Sequence, residues 1–208
     1  MGSAPLQRKG GFYMNRIQIK EQAKGILGSN IFGNTWLLML VVFLIQTVAL
    51  SAVSYVVPAI GTFLIMGPLA YGVSFILLKL VRTGEKPDLA DILKGFKDDF
   101  AQNLLLGFLM NLFIALWSLL FVIPGIVKSY AYSMAFYIKA DHPEYDWKQC
   151  LNESKRITNG HKMNLFVLDL SFIGWYFVGM LCLGVGTLWV APYHKTSVSL
   201  YYEQIKNS

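Results

Sequence analysis

Asp169, His194 and Lys195 are ionisable residues set inside apolar stretches of a 208-residue chain, where a charge is costly unless it is paired, hydrated or used. Asp169 lies about seven residues into the run Met163 to Cys182, roughly 10 Å along a helix that rises 1.5 Å per residue. Lys195 lies about as far from the far end of the run Thr187 to Tyr202. A short turn joins the two runs, so the residues reach one depth and the spacing predicts an Asp169–Lys195 ion pair. His194 and Asn111 fall near the same level, which makes a polar layer of four. Such a layer can relay a proton or hold a polar substrate; the same residues can also serve as a hydrogen-bonded clamp between helices. Lys128, close to the opposite end of its run, has a stem long enough to carry its amine to an interface or to a phosphate headgroup.

Other chemistry is missing from the sequence. There is no His-Glu-x-x-His, no glycine-rich phosphate loop and no nucleophile elbow, so no catalytic residue and no cofactor is expected and the chain reads as a non-enzyme. His142 and His161 have no Cys or carboxylate at metal-ligand spacing, so no metal is expected. Gly184-Val185-Gly186 reads as a turn.

The elements that position the polar layer follow from composition. With 55% hydrophobic and 14% charged residues, the chain is hard to reconcile with a soluble domain. An all-α, polytopic membrane protein is the natural reading. Six transmembrane helices are expected at Asn34–Val57, Ile60–Leu80, Asn103–Ile123, Gly125–Ala140, Met163–Cys182 and Thr187–Tyr202. The fourth and sixth are short and polar, with Ser129, Tyr130, Tyr132 and Ser133 in one and Tyr193 to Ser197 in the other, so neighbours should shield them. Residues 1–13 form a small, polar, basic extension, native or appended, ahead of a single membrane domain at 14–208; the first run is too long for a secretory signal.

Charge orients these helices. Of 18 Lys and Arg, all but Lys128, Lys195 and Lys206 fall in three segments: before the first run, between the second and third, and between the fourth and fifth. The linkers Val57 to Ile60 and Cys182 to Gly186 carry no charge. The positive-inside rule then places both termini in the cytoplasm. The net charge of +6 is interleaved with Glu85, Asp88, Asp91, Asp98 and Asp99, which argues for lipid headgroups as the partner and against nucleic acid. Cys150 and Cys182 fall on opposite sides of the membrane and cannot pair within one chain.

Each basic segment carries an amphipathic stretch just before an odd-numbered span: Ile19, Ala23, Ile26 and Leu27; Leu89, Ile92, Leu93, Phe96 and Phe100; Trp147, Cys150, Leu151, Ser154 and Ile157. Asp88 and Asp146 are placed to cap the second and third. These are interfacial helices, or a collar that binds a protein partner. Stretch, span, outer turn and span then form a unit repeated at 14–81, 88–140 and 146–203. Tyr71, Tyr132 and Tyr193 take like positions in it, as do Asn34, Asn103 and Asn164. Like-oriented units imply a pseudo-threefold axis along the membrane normal.

The motifs Ile123-Pro124-Gly125-Ile126-Val127-Lys128-Ser129-Tyr130, Ser171-Phe172-Ile173-Gly174-Trp175, and Leu183-Gly184-Val185-Gly186 with Trp189 and Pro192-Tyr193 resemble a bacterial integral-membrane family, domain of unknown function 975. The resemblance runs from about Met14 onward. It implies a multi-pass protein of the bacterial plasma membrane, distantly similar to membrane domains attached to some glycerophosphodiester phosphodiesterases, and it implies no activity. Two functions are open: a non-catalytic module that binds lipid or a protein partner, alone or as an oligomer, and a small transporter or lipid-handling permease that uses the polar layer.

Overall fold

The computed structural model describes residues 15–28, 33–56, 60–181 and 185–206. Every element among them is helical: α1 (Arg16–Leu27), α2 (Asn34–Val56), α3 (Ile60–Thr83), a 3-10 turn (Leu89–Leu93), α4 (Lys94–Lys97), α5 (Phe100–Leu120), α6 (Val122–Tyr132), α7 (Ala135–Asp141), α8 (Trp147–Ile157), α9 (Lys162–Leu181) and α10 (Val185–Ile205). Among these residues four stretches are long and apolar enough to cross a membrane: Asn34–Val53, Ile65–Thr83, Phe100–Leu119 and Lys162–Leu181. The expected fourth and sixth spans are not among them. The turn expected at Cys182 lies outside the described residues.

Local sequence explains the helix starts. The Asp146 carboxylate accepts from the Gln149 backbone N–H at 2.6 Å while the Gln149 side chain accepts from the Asp146 N–H at 2.9 Å, a reciprocal box that starts α8. Asp88 accepts from Ala90 N–H at 2.9 Å and starts the 3-10 turn. The second amphipathic stretch is not one helix, however. It runs as the 3-10 turn and the single turn of α4, then breaks at Asp98 and Asp99, the latter at φ +50°. Asn103 stabilises the break, its side-chain amide donating to the carbonyls of Gly95 at 3.0 Å and Asp98 at 2.7 Å. Asn34 and Asn164 are exposed, so the three asparagines do not share a role.

The third and fourth spans also differ from expectation. Their turn comes at Phe121, in extended backbone, three residues before Pro124. Proline lacks an N–H and is readily seated in a first helical turn, so Pro124 opens α6 rather than ending α5. The span expected at Gly125–Ala140 is broken at Ser133 and Met134 into α6 and α7. The cause is α8. Ser154 Oγ donates to Ala131 O at 2.8 Å and accepts from Met134 N–H at 3.3 Å, so its hydroxyl takes the place of bonds the ladder gives up. Ser133 Oγ donates to Tyr130 O at 2.9 Å on the other side of the break.

Packing puts α3, α7 and α10 inside and leaves the outer faces of α2, α5 and α9 apolar and exposed, through Leu44 and Val48, Phe108 and Leu116, and Ile173 and Phe177. Contacts follow one rule around the bundle. The basic segments pack α1 on α10, the 3-10 turn and α4 on α3, and α8 on α7; the outer helices pack α2 on α10, α5 on α3, and α9 on α6. Helices α3 and α5 touch backbone to backbone, since a Cβ at Gly67 would collide with the Asn103 carbonyl and one at Gly107 would fall 2.7 Å from Gly67 Cα.

Candidate functional site

The inward stripe of α9 carries Leu165, Leu168, Phe172 and Gly179, all buried, at helical spacing. Asp169 and Tyr176 lie on that same stripe, so the helix that faces apolar surroundings elsewhere turns its carboxylate toward α6 and α10. His194 Nε2 lies 2.7 Å from Asp169 Oδ1, and Tyr130 Oη donates to Asp169 Oδ2 at 2.9 Å. Tyr176 Oη lies 3.1 Å from His194 Nδ1. Asp169 therefore binds His194 and Tyr130, and the expected Asp169–Lys195 pair does not form. The reason is rotational: successive helical residues point about 100° apart, and it is His194 that α10 turns to α9.

These bonds form one hydrogen-bonded chain across α6, α9 and α10. A carboxylate only accepts, so Nε2 of His194 carries the hydrogen toward Asp169. With the hydrogen on Nε2, Nδ1 is the ring nitrogen left to accept from the Tyr176 hydroxyl. Phe172 packs on the His194 ring at 4.7 Å between centroids and edge-on to Tyr193 at 5.0 Å. From α1, Lys20 Nζ reaches within 4.3 Å of the Phe172 ring centre and 3.4 Å of Ser171 O and Oγ. Burial draws the Lys20 amine below its ordinary value.

The remaining expected residues fall elsewhere. Asn111 donates to Gly107 O of its own helix at 2.8 Å and to Met66 Sδ at 3.7 Å, so it joins α5 to α3 and is not in the polar layer. Lys128 Nζ lies 4.7 Å over the Trp117 ring. Tyr71 and Tyr132 are buried in the core, with Tyr132 6.4 Å from the Phe113 ring, while half-buried Tyr193 lies 6.2 Å from Trp36. Tyr130, Tyr176 and Lys20 belong to the site and were not anticipated. Tyr176 had a signal, its i+7 spacing from Asp169 on the face that also holds Phe172; Lys20 had none, because its place depends on α1 packing against α10.

At the other end of the inner helices, Arg82 of α3 holds Asp141 of α7 at 2.6 Å and Glu203 of α10 at 2.6 Å. Tyr202 donates to Asp141 at 2.9 Å and Lys206 reaches Glu203 at 2.9 Å. This knot ties the three inner helices together. Lys139 is a second fastening: its amine, 1% exposed, donates to Pro143 O and Tyr145 O at 2.7 Å each and pairs with Asp99 at 3.2 Å.

The profile of a family described as a protein of unknown function, DUF975, matches residues 14–128 and 119–208. The chain belongs to this family. No curated protein and no solved structure matches it. In this DUF975 chain the motifs that carried the resemblance converge on the site: α6 delivers Tyr130, α9 delivers Phe172, and Pro192-Tyr193 leads directly into His194. Among the described residues no group of His, Cys, Asp and Glu is placed to hold a metal ion.

Proposed function

We propose that the chain is a non-catalytic, six-span membrane module, with both termini and its basic segments in the cytoplasm, that binds anionic phospholipid at that face. The observation that carries this reading is the fate of the amphipathic segments. Ile19, Ala23 and Leu27 of the first segment and Cys150, Leu151 and Ile157 of the third are buried within the bundle, so a partner helix would find those two apolar faces already used; in the second segment Ile92 is buried while Leu89, Leu93 and Phe100 stay exposed, as apolar groups resting in a headgroup layer would. Arg16, Lys24, Lys86, Lys97, Lys148 and Arg156 stay exposed. Basic residues near an anionic surface contribute about 1 kcal/mol each.

The packing rule supports three repeats at 14–81, 88–140 and 146–203. Each basic segment and each outer helix packs on the inner helix of the preceding hairpin, and the first hairpin closes onto the third. A pseudo-threefold axis along the membrane normal produces that cyclic pattern. On this reading α6 with α7, and α10, are the fourth and sixth spans, short or polar because neighbours surround them.

Native mass spectrometry of protein released from its own membrane with minimal delipidation tests the proposal. Discrete anionic phospholipids are expected, and a Lys24→Gln, Lys97→Gln, Lys148→Gln variant should lose them. A stoichiometric protein partner in place of lipid refutes it. The hydrogen-bonded chain from Tyr130 through Asp169 and His194 to Tyr176, beside the broken α6–α7 helix, supports a second reading as a small permease.

A further inference from the structure

Leu119 to Val127, the residues around the turn between α5 and α6, carry no polar side chain. From Asn103 to Ile114 the exposed residues of α5 are Leu105, Phe108 and Leu112, a single helical face. From Ala115 through Ile123 every described side chain is exposed, and Leu119, Phe121, Val122 and Ile123 are 69% to 85% open. The apolar face of α5 thus widens into an end that, among the described residues, no other helix covers. Met180 and Leu181, at the end of α9, are exposed in the same way.

Helix lengths limit how far this turn reaches. α5 has 21 residues, about 31 Å at 1.5 Å per residue, and is preceded by the exposed Asp98 and Asp99. A bilayer's hydrocarbon core is about 30 Å thick, and its headgroups bring the whole to about 40–45 Å. Even an untilted α5 that starts at the near boundary therefore ends at the far one, and any tilt ends it lower. α6 sets a tighter bound. Ala131, whose carbonyl accepts from Ser154 of the third basic segment at 2.8 Å, is about 14 Å along the helix from Val122. The charged residue nearest the turn, Lys128, is half-buried with its amine 4.7 Å over the Trp117 ring.

We propose that the α5–α6 turn ends within the bilayer, against the phospholipids of the far leaflet, so that this hairpin presents no surface to the water beyond. The proposal rests on the reading that the chain sits in a membrane with its basic segments in the cytoplasm, and it goes further by naming what covers the open end. Lipid is favoured over protein by the chemistry of the turn. A protein interface carries hydrogen bonds and a polar rim, and Leu119 to Val127 offer no side chain for either, whereas acyl chains need only apolar area. The same surface also continues without a polar break into the exposed face of α5 at Leu112, Phe108 and Leu105.

The full chain in a Cys182→Ser background, where Cys150 is buried, receives a single cysteine at Val122, at Phe108 or at the exposed Lys24. Each variant is placed in phosphatidylcholine nanodiscs, whose two faces are both open to water and which hold no anionic lipid, so the outcome does not depend on the binding proposed for the basic face. A water-soluble polyethylene-glycol maleimide should label Val122→Cys about tenfold more slowly than Lys24→Cys, with the two equal once dodecyl sulfate unfolds the protein. An environment-sensitive dye on Val122→Cys should be quenched about twofold when the disc lipid carries a nitroxide on its acyl chain. Ile123→Cys should give the same results and serves if Val122→Cys does not fold. Labelling of Val122→Cys within about threefold of Lys24→Cys overturns the proposal. Slow labelling without nitroxide quenching also overturns it, because a second copy or another protein then covers the turn. Phe108→Cys separates the two readings: without nitroxide quenching there, the membrane reading fails and takes the proposal with it, whereas quenching at Phe108→Cys and none at Val122→Cys overturns the proposal alone.

Discussion

Replacing Lys139 by methionine keeps the stem of the side chain and deletes the ammonium. That ammonium is 1% exposed and makes three bonds, at 2.7 Å to Pro143 O, 2.7 Å to Tyr145 O and 3.2 Å to Asp99. A hydrogen bond to a charged donor contributes about 1.5–3 kcal/mol, and a partly buried carbonyl left without a donor costs about 1–3 kcal/mol. Asp99, half-exposed, can return to water, so most of the loss falls on the two loop carbonyls between α7 and α8. The expected destabilisation is about 3–5 kcal/mol, within the roughly 2–6 kcal/mol that two carbonyls at about 1–3 kcal/mol each imply. For a chain of this size that corresponds to a fall of roughly 6–20 °C in the melting midpoint. The assay is thermal unfolding in a mild detergent followed by tryptophan fluorescence, with Asp99→Asn as a comparison expected to cost less than about 1 kcal/mol. Should Lys139→Met melt within about 2 °C of wild type, or should Asp99→Asn cost as much as Lys139→Met, the carbonyls are not what the amine holds.

Further outcomes follow from the same geometry. A Cβ at Gly95 would strike the Pro68 carbonyl, carbon and Cα, all backbone, so Gly95→Ala should cost about 1–3 kcal/mol, whereas Gly174→Ala in α9, with nothing within 4 Å, should stabilise by about 0.5–1 kcal/mol; chemical unfolding of both variants checks the contrast. Burial pushes the Cys150 thiol up to about 12, so in a Cys182→Ser background it should resist maleimide at pH 8 until the protein unfolds. Burial works to raise the Asp141 carboxyl, but hydrogen bonds and charge from Arg82, with Tyr202 and Lys206, outweigh it and hold the group below its ordinary value. A depressed carboxylate adds stability that is present above its unfolded value near pH 4 and is lost as pH falls through the folded one; a pH series of melting curves should therefore drop below about pH 4, and less so in Asp141→Asn. Asp169→Asn keeps an acceptor for Tyr130 and should cost about 1 kcal/mol as a clamp between helices; if the permease reading holds, a reconstituted flux assay should instead show lost transport in a protein that melts within a few degrees of wild type.

Periodicity made the faces of the helices legible. The inward positions Ile19, Ala23 and Leu27, and Cys150, Leu151 and Ile157, are visible as spacing, and Asp146 announces its helix because a cap acts on its own chain neighbours. Partners across the bundle were not legible. Asp169 and the pair His194-Lys195 could be set at one depth, but choosing between adjacent residues needs the rotation of α10, which packing on α1, α2, α3 and α9 determines. The break in the segment expected as a fourth span was hidden for the same reason, since its cause, the Ser154 hydroxyl, lies 20 positions along the chain in another helix. Lys139 was counted only as one charge in an orienting segment, and its burial depends on a loop that closes over it.

The seat of α1 on α10 bears on how the chain is made. Lys20 and Ser171, which meet in the finished bundle, are 151 residues apart, and at about 5–20 residues per second a ribosome needs roughly 8–30 s to travel that distance. Throughout that interval Ile19, Ala23 and Leu27 have no protein surface to cover them, so nascent α1 is expected to rest in the headgroup layer until α10 emerges. On the membrane reading the bundle is expected to close by lifting its first helix off the surface only once α10 is made, which gives α10 control over when α1 joins the fold.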